Sequence, residues 1–147
     1  MTPCLKIAQK AGIAYQLHEY LHDTSRESYG AEAAEKLGVP EERLFKTLIV
    51  SLDNRDLVVG LVPVSSMLNM ERIAKAAGAK KAGMAASADM ERSTGYVLGG
   101  VSPLGQKKKL QTIKAWRQQF RLPRDTAAHL SGRLERCADL EGGDARW

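Results

Sequence analysis

From Leu44 to Leu52 the chain alternates as a strand does. Successive strand side chains face opposite sides. Leu44, Lys46, Leu48, Val50 and Leu52 therefore share one face, and Phe45, Thr47, Ile49 and Ser51 the other. Asp53-Asn54-Arg55-Asp56 is a turn signal, and Leu57 to Val64 reads as a second strand, so the pair predicts an antiparallel hairpin. Thr2-Pro3 reads as an N-cap with proline in the first helical turn, ahead of Leu5, Ala8 and Ala11, with Gly12 as the stop. Tyr15 to Leu21 alternates and predicts a strand. Residues 31–37 predict a helix closed by Gly38 and followed by Pro40. Asn69 caps a helix carrying Met70, Ile73, Ala74 and Ala77, with Gly78 as its stop. Residues 80–85 predict a short strand, and Ser87 caps a helix through about Ser93, with Gly95 beyond it. A strand then leads into Gly99-Gly100. No repeat or linker divides residues 1–114. The pattern predicts one α/β domain of α+β type, with a curved, mixed, barrel-like sheet flanked by helices.

One residue breaks the first strand's pattern. Lys46 is the sole charge on its more uniformly apolar face. An amine there must be paired, lose its proton, or open onto a cavity; a lysine snorkelling from a strand end to solvent is the alternative. The second informative segment is Gly95-Tyr96-Val97-Leu98-Gly99-Gly100-Val101-Ser102-Pro103-Leu104-Gly105. At Gly99-Gly100 no Cβ blocks approach to the backbone, and exposed N–H groups there could hold a carbonyl, an oxyanion or a ribose hydroxyl. A tight structural turn explains the same residues. The stretch matches neither the P-loop nor the dinucleotide fingerprint. His18 and His22 lack a third ligand, so no metal and no cofactor is expected. Ser65-Ser66 shows no nucleophile-elbow pattern. Met67, Met70, Met84 and Met90 read as core filler.

Composition narrows the class. The chain has 147 residues, 44% hydrophobic and 27% charged, which suits one ordinary globular domain. Aromatics are 5%, too few for a broad base-stacking surface. No apolar run approaches membrane-spanning length and the N-terminus lacks a signal-peptide pattern, so a cytoplasmic protein with no membrane partner is expected. Cys4 and Cys137 lie too far apart in sequence for a metal-ligand spacing and are expected as free thiols. Net charge is +5, placed unevenly. Residues 1–95 carry 12 basic and 12 acidic groups, whereas 96–114 carry Lys107, Lys108, Lys109 and Lys114 with no acid. That short basic stretch suits a polyanion such as RNA; a solvated lysine cluster is the plain alternative.

Leu44-Phe45-Lys46-Thr47-Leu48-Ile49-Val50, Ala74-Lys75-Ala76-Ala77-Gly78-Ala79-Lys80-Lys81 and the run from Arg92 to Lys108 together resemble the YbaK/EbsC family, and within it the Cys-tRNA(Pro)/Cys-tRNA(Cys) deacylases. The family also includes the editing domain inserted in bacterial prolyl-tRNA synthetases. The resemblance covers residues 1–113 and implies an aminoacyl-tRNA editing domain there. It implies trans-editing of mischarged Cys-tRNA(Pro), with cleavage assisted by the substrate's own thiol. It also implies Lys46 as the catalytic residue and Tyr20, Tyr29, Thr47, Gly99, Gly100, Val101 and Ser102 as substrate-binding residues. Lys107, Lys108 and Lys109 would meet tRNA phosphates, with prolyl-tRNA synthetase as a further partner. Ala-tRNA(Pro) is the alternative substrate, and a non-catalytic tRNA- or synthetase-binding module the alternative class. Residues 114–147 depart from the family pattern, through a frameshift or a divergent ending.

Overall fold

The computed structural model describes residues 2–114. Its elements run α1 (Pro3–Lys10), α2 (Tyr29–Leu37), a 3-10 turn (Glu41–Arg43), β1 (Phe45–Leu52), β2 (Asp56–Pro63), α3 (Met70–Ala76), β3 (Ala82–Met84), α4 (Ser87–Thr94) and β4 (Gln111–Lys114). The contrast expected between residues 1–113 and a divergent 114–147 falls almost wholly outside the described residues.

The four strands form one sheet in the order β3-β1-β2-β4. β1 pairs antiparallel with β2 from Phe45↔Pro63 to Leu52↔Asp56. β3 pairs antiparallel with β1 only at Val50↔Met84, Ser51↔Gly83 and Leu52↔Ala82. β4 runs parallel to β2. The sheet is therefore mixed, as expected, and among the described residues its strands do not close into a barrel. Its hairpin turns through Asp53 and Asn54, both at positive φ (50° and 57°), where short polar side chains are tolerated. The Asp53 carboxylate accepts the N–H groups of Lys80 and Lys81, which ties the hairpin end to the entry of β3.

Each sheet face has its own cover. Val50, Leu52 and Val58 pack with Ile73 of α3 and Ile113 of β4 on one side. Ile49, Val59 and Leu61 pack with Met90 of α4 on the other. Val50, Val59, Val62 and Ile73 are fully buried. Each such side chain contributes roughly 1.5–3 kcal/mol on burial, so the β1–β2 hairpin is the rigid centre of the fold. Gly60 permits the close approach of α3, since a Cβ there would lie 2.7 Å from Leu68 Cδ2 and 3.2 Å from Ile73 Cδ1.

The expected caps Thr2 and Asn69 and the expected stop Gly38 are found in place, and α2 begins earlier than expected, at Tyr29. Thr2, Ser28 and Asn69 cap α1, α2 and α3 through their side chains, and Gly38 ends α2 in the left-handed conformation. Four expectations are corrected. Met67 and Met84 are not core filler, being 91% and 54% exposed. Tyr15 to Leu21 is not a strand: it has no ladder partner among the described residues, and its leucines are open to solvent, with Leu17 56% and Leu21 89% exposed. Side chains hold this segment instead, as Gln9 Nε2 donates to Tyr15 Oη at 2.9 Å. Ser87 is the first residue of α4 and not its cap; that place is taken by Ala86, which offers no side-chain bond. No strand leads into Gly99-Gly100, because Tyr96 is buried with its hydroxyl donating to the Leu104 C=O at 2.6 Å, and this cross-link folds the segment into a turn.

Candidate active site

β3 reaches only as far as Val50 along β1, which leaves the first half of β1 as an open sheet edge among the described residues. A cavity of about 480 Å³ lies at that edge. Six consecutive residues, 44–49, line it. Residues of both side-chain phases can line one cavity only where it wraps the edge of the strand.

The N-terminus of α2 forms the wall on the Lys46 face. Gly30 packs on Val64, where a Cβ would lie 2.8 Å from Cγ2. Val64 sits across from Leu44, its N–H donating to the Leu44 C=O at 2.8 Å. The glycine turn forms the wall on the opposite face, where Val101 packs against the Ile49, Val59, Leu61 and Met90 cluster. The walls meet at Tyr29, whose ring lies 3.5 Å from the position of a Cβ on Gly99. Gly99 has φ +86°, a conformation that favours glycine, and this lets the turn close under the ring.

Lys46 is half-buried between these walls and makes no ion pair among the described residues. Of the cavity's described lining, Lys46 is the one cation and Glu27 the one carboxylate. Lys46 lines a cavity, as one of the sequence's alternatives for it requires. Tyr20, Tyr29, Thr47, Gly99 and Val101 line the same cavity. Gly100 and Ser102 do not. The Gly100 N–H donates to the Val97 C=O at 3.0 Å, and Ser102 Oγ accepts the Leu104 N–H at 3.2 Å. Lys107, Lys108 and Lys109 are exposed, with the aliphatic chain of Lys107 packed on Gly95.

Residue-type reasoning missed the group that holds the cavity's tyrosines. Glu32 of α2 is fully buried. It accepts the Asp23 N–H at 2.7 Å, meets His22 Nδ1 at 2.6 Å and pairs with Lys36 Nζ at 2.7 Å. The Lys36 hydrogen bond, then the Asp23 N–H, then His22 hold its carboxyl down at about 2. His22 stacks on Tyr29 with centroids 4.4 Å apart. Lys36 Nζ lies 5.4 Å from the Tyr20 ring centroid and also donates to the Leu21 C=O. The only sequence signal was the Glu32–Lys36 spacing of four, which marks a helix-face pair.

The aminoacyl-tRNA editing domain model matches residues 25–114. Among curated proteins, the chain is 35% identical over 115 residues to EbsC of Enterococcus faecalis, a candidate Cys-tRNA(Pro)/Cys-tRNA(Cys) deacylase, covering 78% of this chain and 69% of that one. It is 30% identical over 105 residues to the proline--tRNA ligase of Trichlorobacter lovleyi, covering 71% of this chain and 18% of the ligase. Among solved structures, the hypothetical protein APE2540 superposes with TM-score 0.65 at 26% identity, covering 77% of this chain and 73% of that one. The chain belongs to the aminoacyl-tRNA editing domain family, in its YbaK/EbsC branch, whose chemistry is cleavage of the ester joining an amino acid to tRNA.

Proposed function

We propose that this protein is a trans-editing deacylase that clears Cys-tRNA(Pro), using the thiol of the substrate. The observation that carries the reading is Lys46, an ammonium half-buried at the open edge of β1 with no counter-ion among the described residues. A cation so placed suits a ligand that brings its own oxygens. EbsC, which resembles this chain over most of both lengths, supports the choice of cysteine, and the match to a proline--tRNA ligase supports tRNA(Pro) and its synthetase as partners.

Lys46 is not the nucleophile in this mechanism. Its ammonium anchors the terminal adenosine or polarises the ester, and so brings the cysteine thiol within reach of its own carbonyl. The sulfur–carbon bond forms, the carbon–oxygen ester bond breaks, and the thiol proton ends on the ribose hydroxyl. The products are a thiolactone and free tRNA. The oxyanion formed on the way meets main-chain N–H groups of the glycine turn. Gly99 and Val101, which line the cavity, are the donors in this reading, since the Gly100 N–H is already held by Val97. The chain need supply no hydroxyl nucleophile; Ser28, the lining serine, accepts the Ala31 N–H as the cap of α2. Lys107 to Lys109 meet tRNA phosphates outside the cavity. The setting for this reaction is the cytoplasm.

The test is deacylation of Cys-tRNA(Pro) beside Ala-tRNA(Pro), by the purified chain and by Lys46→Ala. Loss of cysteine alone, slowed about 100-fold in the variant, supports the reading; that ratio corresponds to about 2.7 kcal/mol of transition-state stabilisation. Equal loss of alanine overturns thiol assistance. Binding without turnover by the folded protein leaves a tRNA-binding module in its place.

A further inference from the structure

β1's hydrogen-bond phase fixes which of its main-chain groups face the cavity. In an antiparallel ladder, residues alternate between pairs that exchange both bonds and pairs that exchange none. The Val64 N–H donates to the Leu44 C=O. Phe45 lies opposite Pro63, which has no N–H to give. Leu44, Lys46 and Leu48 thus turn their main-chain groups toward β2, while Thr47 and Ile49 turn theirs away. The other edge agrees. The Ala85 N–H donates to the Ile49 C=O at 3.0 Å, and the Asp53 N–H donates to the Lys81 C=O at 3.0 Å. Beyond Ala85 the chain leaves the sheet for α4. At Thr47 no described strand flanks this edge, and Thr47 lines the cavity. One N–H and one C=O, from a single residue, therefore point into it.

We propose that the Thr47 main chain is the subsite for the α-aminoacyl group, an inference that rests on the editing reading for the ligand. An aminoacyl ester carries, on one carbon, an ammonium that donates and a carbonyl that accepts. Those are the groups a strand residue offers in a pair that exchanges both bonds. The Thr47 C=O accepts from the α-ammonium and the Thr47 N–H donates to the ester carbonyl. The amino acid docks as a one-residue extension of the sheet. The substrate class is α-amino acid esters with a free amine, recognised through the amino acid's main-chain atoms. Side-chain selection then falls to the cavity walls. The placement puts the ester carbon at the strand edge, with the Lys46 face on one side and Gly99 and Val101 on the other.

The first test reads amide hydrogen exchange in the full chain by nuclear magnetic resonance. The probe is 3′-cysteinylamino-3′-deoxyadenosine, in which a stable amide replaces the ester. Exchange at Thr47 is expected to slow at least tenfold on binding, while Lys46 and Leu48, already laddered to β2, change far less. Binding that leaves Thr47 exchange unchanged overturns this inference alone. No binding at millimolar probe overturns the editing reading and this inference with it. The second test compares Thr47→Pro with Thr47→Val on Cys-tRNA(Pro). Proline is tolerated in an edge strand whose N–H faces outward; it removes that donor together with the threonine hydroxyl and fixes φ, and valine, which keeps the donor and removes the hydroxyl, is the control for the side chain. With both variants folded by circular dichroism, kcat/KM is expected at least tenfold lower for Thr47→Pro than for Thr47→Val. Equal values overturn the proposal.

Discussion

The carboxylate of Glu32, fully buried in α2, accepts the main-chain N–H of Asp23 at 2.7 Å. That bond fastens the irregular segment before α2 to the helix. The same carboxylate holds His22, which stacks on Tyr29, and Lys36, which lies over Tyr20. Both tyrosines line the cavity. One buried charge thus sets two cavity walls, because an ionised carboxylate in the interior must collect donors.

Acid should release this arrangement. The Glu32 carboxyl is held at about 2 against an ordinary 4.5, chiefly by the Lys36 hydrogen bond. A depressed folded value stabilises the fold above the unfolded value and ceases to do so as pH falls through the folded one. Glu32 therefore contributes fully above about 4.5, and that contribution fades between 4.5 and 2. Asp23 and Glu35 are shifted the same way, by the Ser25 and Arg26 hydrogen bonds. Urea unfolding across this window should show stability falling with acid, with a shallower fall in Glu32→Gln. An unchanged slope in the variant would exclude Glu32 as a source.

Gly30→Ala should loosen the cavity without touching its chemistry. A Cβ at Gly30 would lie 2.8 and 2.9 Å from the two Cγ atoms of Val64. Valine is stiff at χ1, so the first turn of α2 must lift and carry Tyr29 with it. Overpacking of this kind costs about 1–3 kcal/mol. Thermal unfolding should show a lower Tm, and deacylation a raised KM. An unaltered Tm would mean that α2 and β2 pack less closely than the distances require.

The Lys46 phase was legible because a strand with one buried face tolerates few charges, and the alternation from Leu44 to Leu52 is regular. That Lys46 lies at an edge was not legible. The edge exists because β3 pairs only with Val50 to Leu52, a tertiary fact that no local period encodes. The glycine turn was found by its composition, but the Val97–Gly100 bond that removes one N–H belongs to the folded turn. Tyr15 to Leu21 shows the opposite failure: alternation predicts an extended chain, and pairing needs a neighbour that the sheet does not supply among the described residues. The Glu32 group escaped notice because its partners lie four to ten positions away and only folding brings them together.

Thiol assistance predicts a sharp penalty for oxygen in place of sulfur. A serine hydroxyl is the weaker nucleophile at neutral pH, where a thiol already holds a small thiolate fraction. Ser-tRNA(Pro) is nearly isosteric with Cys-tRNA(Pro), so a pocket that selects by size alone would separate them little. Deacylation of the two, on the same tRNA, should differ by about 100-fold or more in kcat. A ratio near unity would place the nucleophile on water or on the protein.

Lys107, Lys108 and Lys109 form a run without a neighbouring acid, exposed on the approach to β4. Their main chain is anchored: the N–H groups of Lys107 and Lys108 donate to the Thr94 and Ser93 C=O groups. The run is therefore presented on a fixed turn, and its charges can meet successive phosphates. Each phosphate neutralised contributes roughly 0.7–0.9 to the slope of log affinity against log salt. Replacing all three lysines with alanine should lower the magnitude of the slope for tRNA binding by about 2–3, and the loss should fall on KM more than on kcat, since the cavity lies elsewhere. The check is tRNA binding by the intact chain and the triple variant over a range of potassium chloride. Parallel lines on that plot would remove the run from the tRNA footprint.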